Sequence, residues 1–378
     1  MALNLRSPIF TGNTIQIGGY NIYEIFIYDY IKPSEPVYVI RKDYNANFNA
    51  GEIEISELVR DYLDITFGNN YESQCVKVSV DYTLYNSSGV PIYGGYLING
   101  DFAFDGYSYF EENGFDVDDS PIMISNRKIF ALADNLVRIP INTTSSPTVV
   151  FLKDGEIIYS QQYFDSAFVS GKIIYATIGG EYDFDNYKER VVSDGGTFEE
   201  TKCLKEFLDD FEIGEVDEVR VFSDTKPLET IKIKTLEECK YEPKKVTFIN
   251  KFGALQDMYF FKKSVEKMTV KKESYNSNIL DSNYSYSRSN HVKRNFNVKG
   301  NESVTLSSGY LSEEYNEVFK QLLLSEKVWI TNVTDTEEQV LPINVKTSNI
   351  TYKTSLNDRL VEYTFDFDKS FDTINNIR

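Results

Sequence analysis

A chain of 378 residues has room for two or three domains, and folding can bury roughly three quarters of the surface of its extended form. With 39 Lys and Arg against 58 Asp and Glu it carries a net charge of −19, so on average its surface repels a nucleic acid. Three cysteines, Cys75, Cys203 and Cys239, lie far apart without a CxxC pair, which argues against a disulfide framework and a zinc site and points to synthesis in a reducing cytoplasm.

The first ten residues hold one arginine and no apolar core of a signal peptide. No later stretch approaches the roughly 18 apolar residues that span a bilayer. A soluble protein without its own export or anchoring signal is therefore expected. The 28 Tyr and 26 Phe, set against a single Trp and joined by abundant Asn, Ser, Val and Ile, make a strand-forming composition.

In chain order, residues 14–31 alternate loosely between Ile or aromatic and polar, around Gly18 and Gly19, and predict a hairpin or bent strand. Leu58, Val59, Tyr62 and Leu63 break that alternation and predict a short helix with Ser56 as N-cap. Alternation returns from Cys75 to Tyr85, with Val76, Val78, Val80, Tyr82 and Leu84 on one face, and a turn at residues 86–89 follows. Further strands are expected at about 95–104 and 128–141. Residues 1–142 thus read as a β-sandwich-like domain.

Beyond the polar stretch 142–147, Asp154-Gly155 between two apolar runs is a hairpin signal. Thr197 to Phe211 has capping-box spacing and helical repeats, so residues 143–240 read as a β-rich middle domain with one helix. Residues 241–378 read as a β domain with a basic segment and one central helix. The helix has Ser312 as cap and an apolar stripe of Tyr315, Val318, Phe319, Leu322 and Leu323. Residues 274–290 are a Ser/Asn/Tyr-rich loop or arm. The fold class expected is mostly β, with antiparallel sandwich or barrel domains that each carry a single short helix.

Little points to chemistry. The lone histidine, His291, rules out mechanisms that need two, and no GxSxG, GxxxxGK[ST] or GxGxxG motif is present. Asp101, Asp105, Glu111, Glu112, Asp116, Asp118 and Asp119 crowd one acidic stretch, but without EF-hand spacing it reads as a solvated loop facing water or a basic partner. Tyrosines such as Tyr107, Tyr109 and Tyr284, Tyr286 suit sheet packing, an interface or a sugar. No catalytic residue, cofactor or metal is expected.

The basic segment stands apart. Residues 241–300 hold twelve Lys or Arg against five Asp or Glu, a local +7 that leaves −26 for the remainder. Lys262, Lys263, Lys267, Lys271 and Lys272 are its candidate partner-binding residues, aimed at an acidic neighbouring subunit rather than at nucleic acid, and a locally basic, solvated hairpin is the equal alternative.

The run Val246-Thr247-Phe248-Ile249-Asn250-Lys251-Phe252-Gly253-Ala254-Leu255-Gln256-Asp257, with Tyr259 to Ser264 after it, resembles a block of virion proteins of tailed bacteriophages, especially crAss-like and marine phages. Leu5-Arg6-Ser7-Pro8, Ile55 to Tyr62 and Val361 to Asp368 are similar as well. The resemblance implies a structural, non-enzymatic component of the virion, in the tail or the head–tail connector as a tail hub or neck ring. Its partners would be copies of itself and other virion proteins, with no membrane. A receptor- or carbohydrate-binding module of a tail fibre is the alternative.

Overall fold

The computed structural model describes residues 2–13, 18–29, 31–44, 51–63, 65, 74–108, 121–132, 137–142, 147–162, 173–178, 216–223, 228–236, 240–280, 283–285, 287–333, 338–351 and 360–373. The chain is mostly β, built of several sheets, with two helices among the described residues. The helix expected between Thr197 and Phe211 lies outside them. Contacts divide the chain into two compact units, one of residues 1–237 with 248–257 and one of residues 238–247 with 258–378.

In the first unit, a five-stranded sheet runs in the order Ala2–Asn4, Pro91–Phe104, Cys75–Tyr85, Tyr20–Tyr28, Tyr38–Asp43. The alternation of Cys75–Tyr85 is realised over most of the strand: Val76, Val78, Val80 and Tyr82 are buried and Lys77, Asp81 and Thr83 stay partly open, but Ser79 is buried too and Leu84 is not. The three valines and Tyr82 share a core with Tyr23, Ile25, Ile27 and with Ile55 and Val59 around the helix Ser56–Arg60. Ala2–Asn4 joins the edge in parallel to Phe102–Phe104, a pairing across a hundred residues.

That helix is not capped as the sequence suggests. Ile55 holds the cap position, and Ser56 is the first helical residue. The Glu54 carboxylate takes the work instead, accepting from the Ser56 amide at 2.7 Å, from the Ser56 hydroxyl and from the Ile9 amide at 3.2 Å. A carboxylate is a stronger acceptor than a hydroxyl, and it faces the positive end of the helix dipole.

A second five-stranded sheet of this unit runs Glu156–Gln162, Thr148–Lys153, Glu218–Phe222, Glu229–Leu236, Lys128–Leu132, with the last pair parallel. The strands Val137–Asn142 and Ile173–Ile178 pair antiparallel. Ile139 and Ile141 of the former share one core with Val149, Phe151, Val219, Val221 and Ile231. Asp154 and Gly155 have φ of 51° and 84°, the two positive values that a type I′ hairpin turn demands.

The order of a seven-stranded sheet is Leu255–Phe260, Lys244–Ile249, Val328–Val333, Glu338–Val345, Thr364–Lys369, Lys293–Ser307, Val265–Asn276, all but residues 248–249 and 255–257 of it counted with the second unit. The helix Tyr315–Leu324 buries Tyr315, Val318, Phe319 and Leu322 of the stripe read from the sequence, leaves its Leu323 partly open and buries Gln321 as well. Phe319 meets Tyr363 at 4.8 Å and Phe365 at 5.2 Å between ring centroids, and Phe260 meets Phe365 and Phe367 edge-on. Ser312 is not the cap. It is still extended, in a short strand Leu311–Ser312 paired with Leu360–Val361, so the helix starts later, with Glu314 at the cap position.

Candidate assembly surface

From residue 265 onward the basic segment enters a long hairpin, Val265–Asn276 with Lys293–Ser307, at one margin of the seven-stranded sheet, while its Lys244–Ile249 and Leu255–Phe260 lie at the other end of the order. Lys293–Ser307 pairs on one side with Thr364–Lys369, but only over Ser303–Ser307. Its first part is bound in the sheet to Val265–Asn276 alone, so the two strands leave the sheet as a two-stranded ribbon. All twelve residues of Val265–Asn276 are exposed, and this strand ends the sheet order.

Register decides which side chains meet. Lys271 lies directly opposite Lys299, Glu273 opposite Phe296, and Tyr275 opposite Arg294. Since successive side chains alternate, Lys267, Lys271 and Tyr275 share one face with Lys299, Phe296 and Arg294, while Met268, Val270 and Lys272 take the other. The ladder slips between Lys271 and Glu273, beside Asn297 at a φ of 48°, and the Asn297 amide donates to Glu273 at 3.2 Å. A bulge of this kind twists a ribbon and re-aims its side chains.

Electrostatically the ribbon is unbalanced. Like charges directly opposite in a ladder repel, and Lys271 and Lys299 are so placed. Among the described residues neither makes an ion pair. Apolar surface is also left open: Val265, Met268, Val270, Tyr275 and Phe296 are each 46–53% exposed, with Tyr275 edge-on to Phe296 at 5.6 Å.

Of the five lysines singled out from the sequence, Lys267 and Lys271 come together on one face, Lys272 stands on the other, and Lys263 is exposed just before the strand. Lys262 is half-buried, its stem against Gly309 and its amide on the Ser307 carbonyl at 3.3 Å. The sequence reading missed Lys299 and Arg294, which only the register brings to Lys271 and Tyr275. His291 is exposed; its carbonyl accepts from the Ser277 hydroxyl at 3.0 Å. Asp105 is buried and paired with Arg60 at 2.9 Å, while residues 111–119 of the acidic stretch, Tyr109 and Tyr286 lie outside the described residues. Tyr107 is buried beneath the Arg6 guanidinium.

Residues 246–257, 5–8, 55–62 and 361–368 hold core and locking positions. Asn250 Oδ1 accepts from the amides of Phe252 and Ala254 at 3.0 and 3.1 Å, closing a turn whose Gly253 has a φ of 81°. Within the first unit, Asn250 Nδ2 donates to the Met123 carbonyl at 2.7 Å and Gln256 Nε2 to Asn126 at 2.9 Å. Arg138 clasps Asp257 through both carboxylate oxygens, with Nε at 2.7 Å from Oδ2. Leu5, Ile55, Val59, Tyr363, Phe365 and Phe367 are core residues.

Searches with family models and against curated proteins found no match to this chain. Among the described residues no helix is long and apolar enough to cross a membrane.

Proposed function

We propose that this chain is a structural component of a tailed-phage virion, in the tail or the head–tail connector, that acts by protein–protein assembly and not by catalysis. The observation that carries the reading is the ribbon of Val265–Asn276 and Lys293–Ser307. A two-stranded ribbon exposed on both faces is marginal in water by itself, and an open edge is a template for a further strand. Its lysines and half-exposed apolar residues suit a protein surface of opposite charge. The test is mass spectrometry and immunogold labelling of purified particles. The chain is expected in the particle, at the tail or its junction with the head; absence from particles overturns the reading.

One observation favours a glycan-binding module of a tail fibre instead. Tyr20 and Tyr85 stack at 4.7 Å with the Arg41 guanidinium 3.9 Å from the Tyr20 ring, and Tyr96 elsewhere on that sheet is 68% exposed. Binding on a glycan array that is lost in Tyr96→Ala would select this second reading.

A further inference from the structure

We infer that the outer strand of the ribbon, Val265–Asn276, is a dimer edge: it pairs antiparallel with the same strand of a second copy, about a two-fold axis through Val270. The pairing goes beyond the virion reading and does not depend on it. Both sides of the contact are the same twelve residues, all exposed, in a strand that ends its sheet. A two-stranded ribbon is marginal in water, and an open edge is a template for one more strand. Joined edge to edge, two ribbons make four strands, and each Val265–Asn276 gains the second backbone neighbour it lacks.

A two-fold contact requires a strand complementary to itself. With the axis through Val270, Lys267 of one copy lies opposite Glu273 of the other, and Val265 opposite Tyr275, each of these pairs occurring twice. Val270 meets its counterpart, Met268 meets Lys272, and Thr269 meets Lys271, so no like charges stand directly opposite across the new junction. Glu266 of one copy is the diagonal neighbour of Lys272 of the other, within reach of a long side chain. Shifting the axis to Thr269 sets Lys267 against Lys271, and shifting it to Lys271 sets that lysine against itself. Charge thus selects one register. Among the described residues Glu266, Lys267, Lys272 and Glu273 make no ion pair within the chain, and the second copy provides one for each. Val265 of the second copy also extends the contact of Tyr275 with Phe296, and the half-exposed Val270 is covered. Only the edge is consumed. The faces of the ribbon stay open to the oppositely charged surface proposed above.

The test is sedimentation equilibrium of the full chain in about 0.15 M and about 0.5 M salt. With rising concentration the mass is expected to approach twice 43.5 kDa in both, because backbone hydrogen bonds and apolar contacts survive screening and salt also screens the net −19 of each copy. Lys267→Glu and Glu273→Lys each set like charges opposite in two places, and each is expected to weaken self-association about tenfold. Both side chains are exposed, so unchanged melting curves verify folding. Mixed in equal amounts, the two variants restore both opposite pairs, and dimers are expected to return. A wild type that stays monomeric at every concentration overturns the inference, as does a mixture that restores nothing. A dimer lost in about 0.5 M salt overturns it too, since that is how docking onto a surface of opposite charge behaves. A monomeric chain that is nevertheless present in particles refutes the pairing and leaves the virion role standing. A dimer absent from particles does the reverse.

Discussion

Arg138 and Asp257 are 119 positions apart, and their side chains are 3% and 6% exposed. Removing one partner of such a pair strands the other charge away from water. Arg138→Met is expected to lower stability by about 3–5 kcal/mol in urea unfolding, more than the loss of any exposed pair. Gly253 is constrained twice over: its φ of 81° disfavours any side chain, and a Cβ there would stand 2.9 Å from the Phe104 Cβ. Gly253→Ala is expected to cost about 1–3 kcal/mol in the same assay. Glu54 is a pH-dependent case. Burial disfavours its charge, but hydrogen bonds from the Ser56 hydroxyl and from the amides of Ser56, Ile9 and Glu57 outweigh this and lower its pKa below the ordinary 4.5. A depressed carboxylate stabilises the fold above the unfolded value and ceases to do so as pH falls through the folded one. Wild type and Glu54→Gln should therefore differ in stability at neutral pH and converge on acidification; equal stability at neutral pH would refute the role given to Glu54. Arg138 was not singled out from the sequence, because a partner 119 positions away leaves no local pattern; Glu54 was passed over in favour of Ser56, and Gly253 was quoted without its turn being read.

Among the elements, those with local causes were legible. Cys75–Tyr85 has one buried face, so period two shows; Tyr315–Leu324 has one apolar stripe, so period 3.6 shows; Asp154-Gly155 meets the positive φ of its turn directly. Both helix caps were misplaced, since strand pairing at Leu311–Ser312 and a carboxylate from Ile53–Glu54 set where the helices begin. The parallel pairings of Ala2–Asn4 and Lys128–Leu132 were invisible for the same reason as the Arg138 pair. The basic candidates were half legible: their charge stands in the sequence, but which of them share a face depends on register and on a bulge. At this scale the helix and its aromatic neighbours dominate the second unit. Phe319→Ala, removing a fully buried ring that touches Tyr363 and Phe365, is expected to destabilise by about 3–5 kcal/mol in chemical denaturation.

For the whole molecule, charge segregation matters more than total charge. A net −19 alone predicts repulsion between copies, and residues 262–299, with nine Lys or Arg against three Asp or Glu, run against that total. The division into units has its own consequence, because residues 248–257 count with the first unit although they follow residue 237 in the chain. A fragment ending at residue 240 lacks Asp257 for Arg138, Gln256 for Asn126 and Asn250 for the Met123 carbonyl. Circular dichroism melts of such a fragment are expected to be broad, and those of a fragment extended to residue 260 to be sharp. Genetic exchange meets the same obstacle. A recombination event that replaced everything after residue 240 with a relative's sequence would import a foreign 248–257 for partners it had not evolved beside. Descendants should therefore inherit residues 121–142 and 248–257 as a linked pair, however freely the exposed ribbon diversifies.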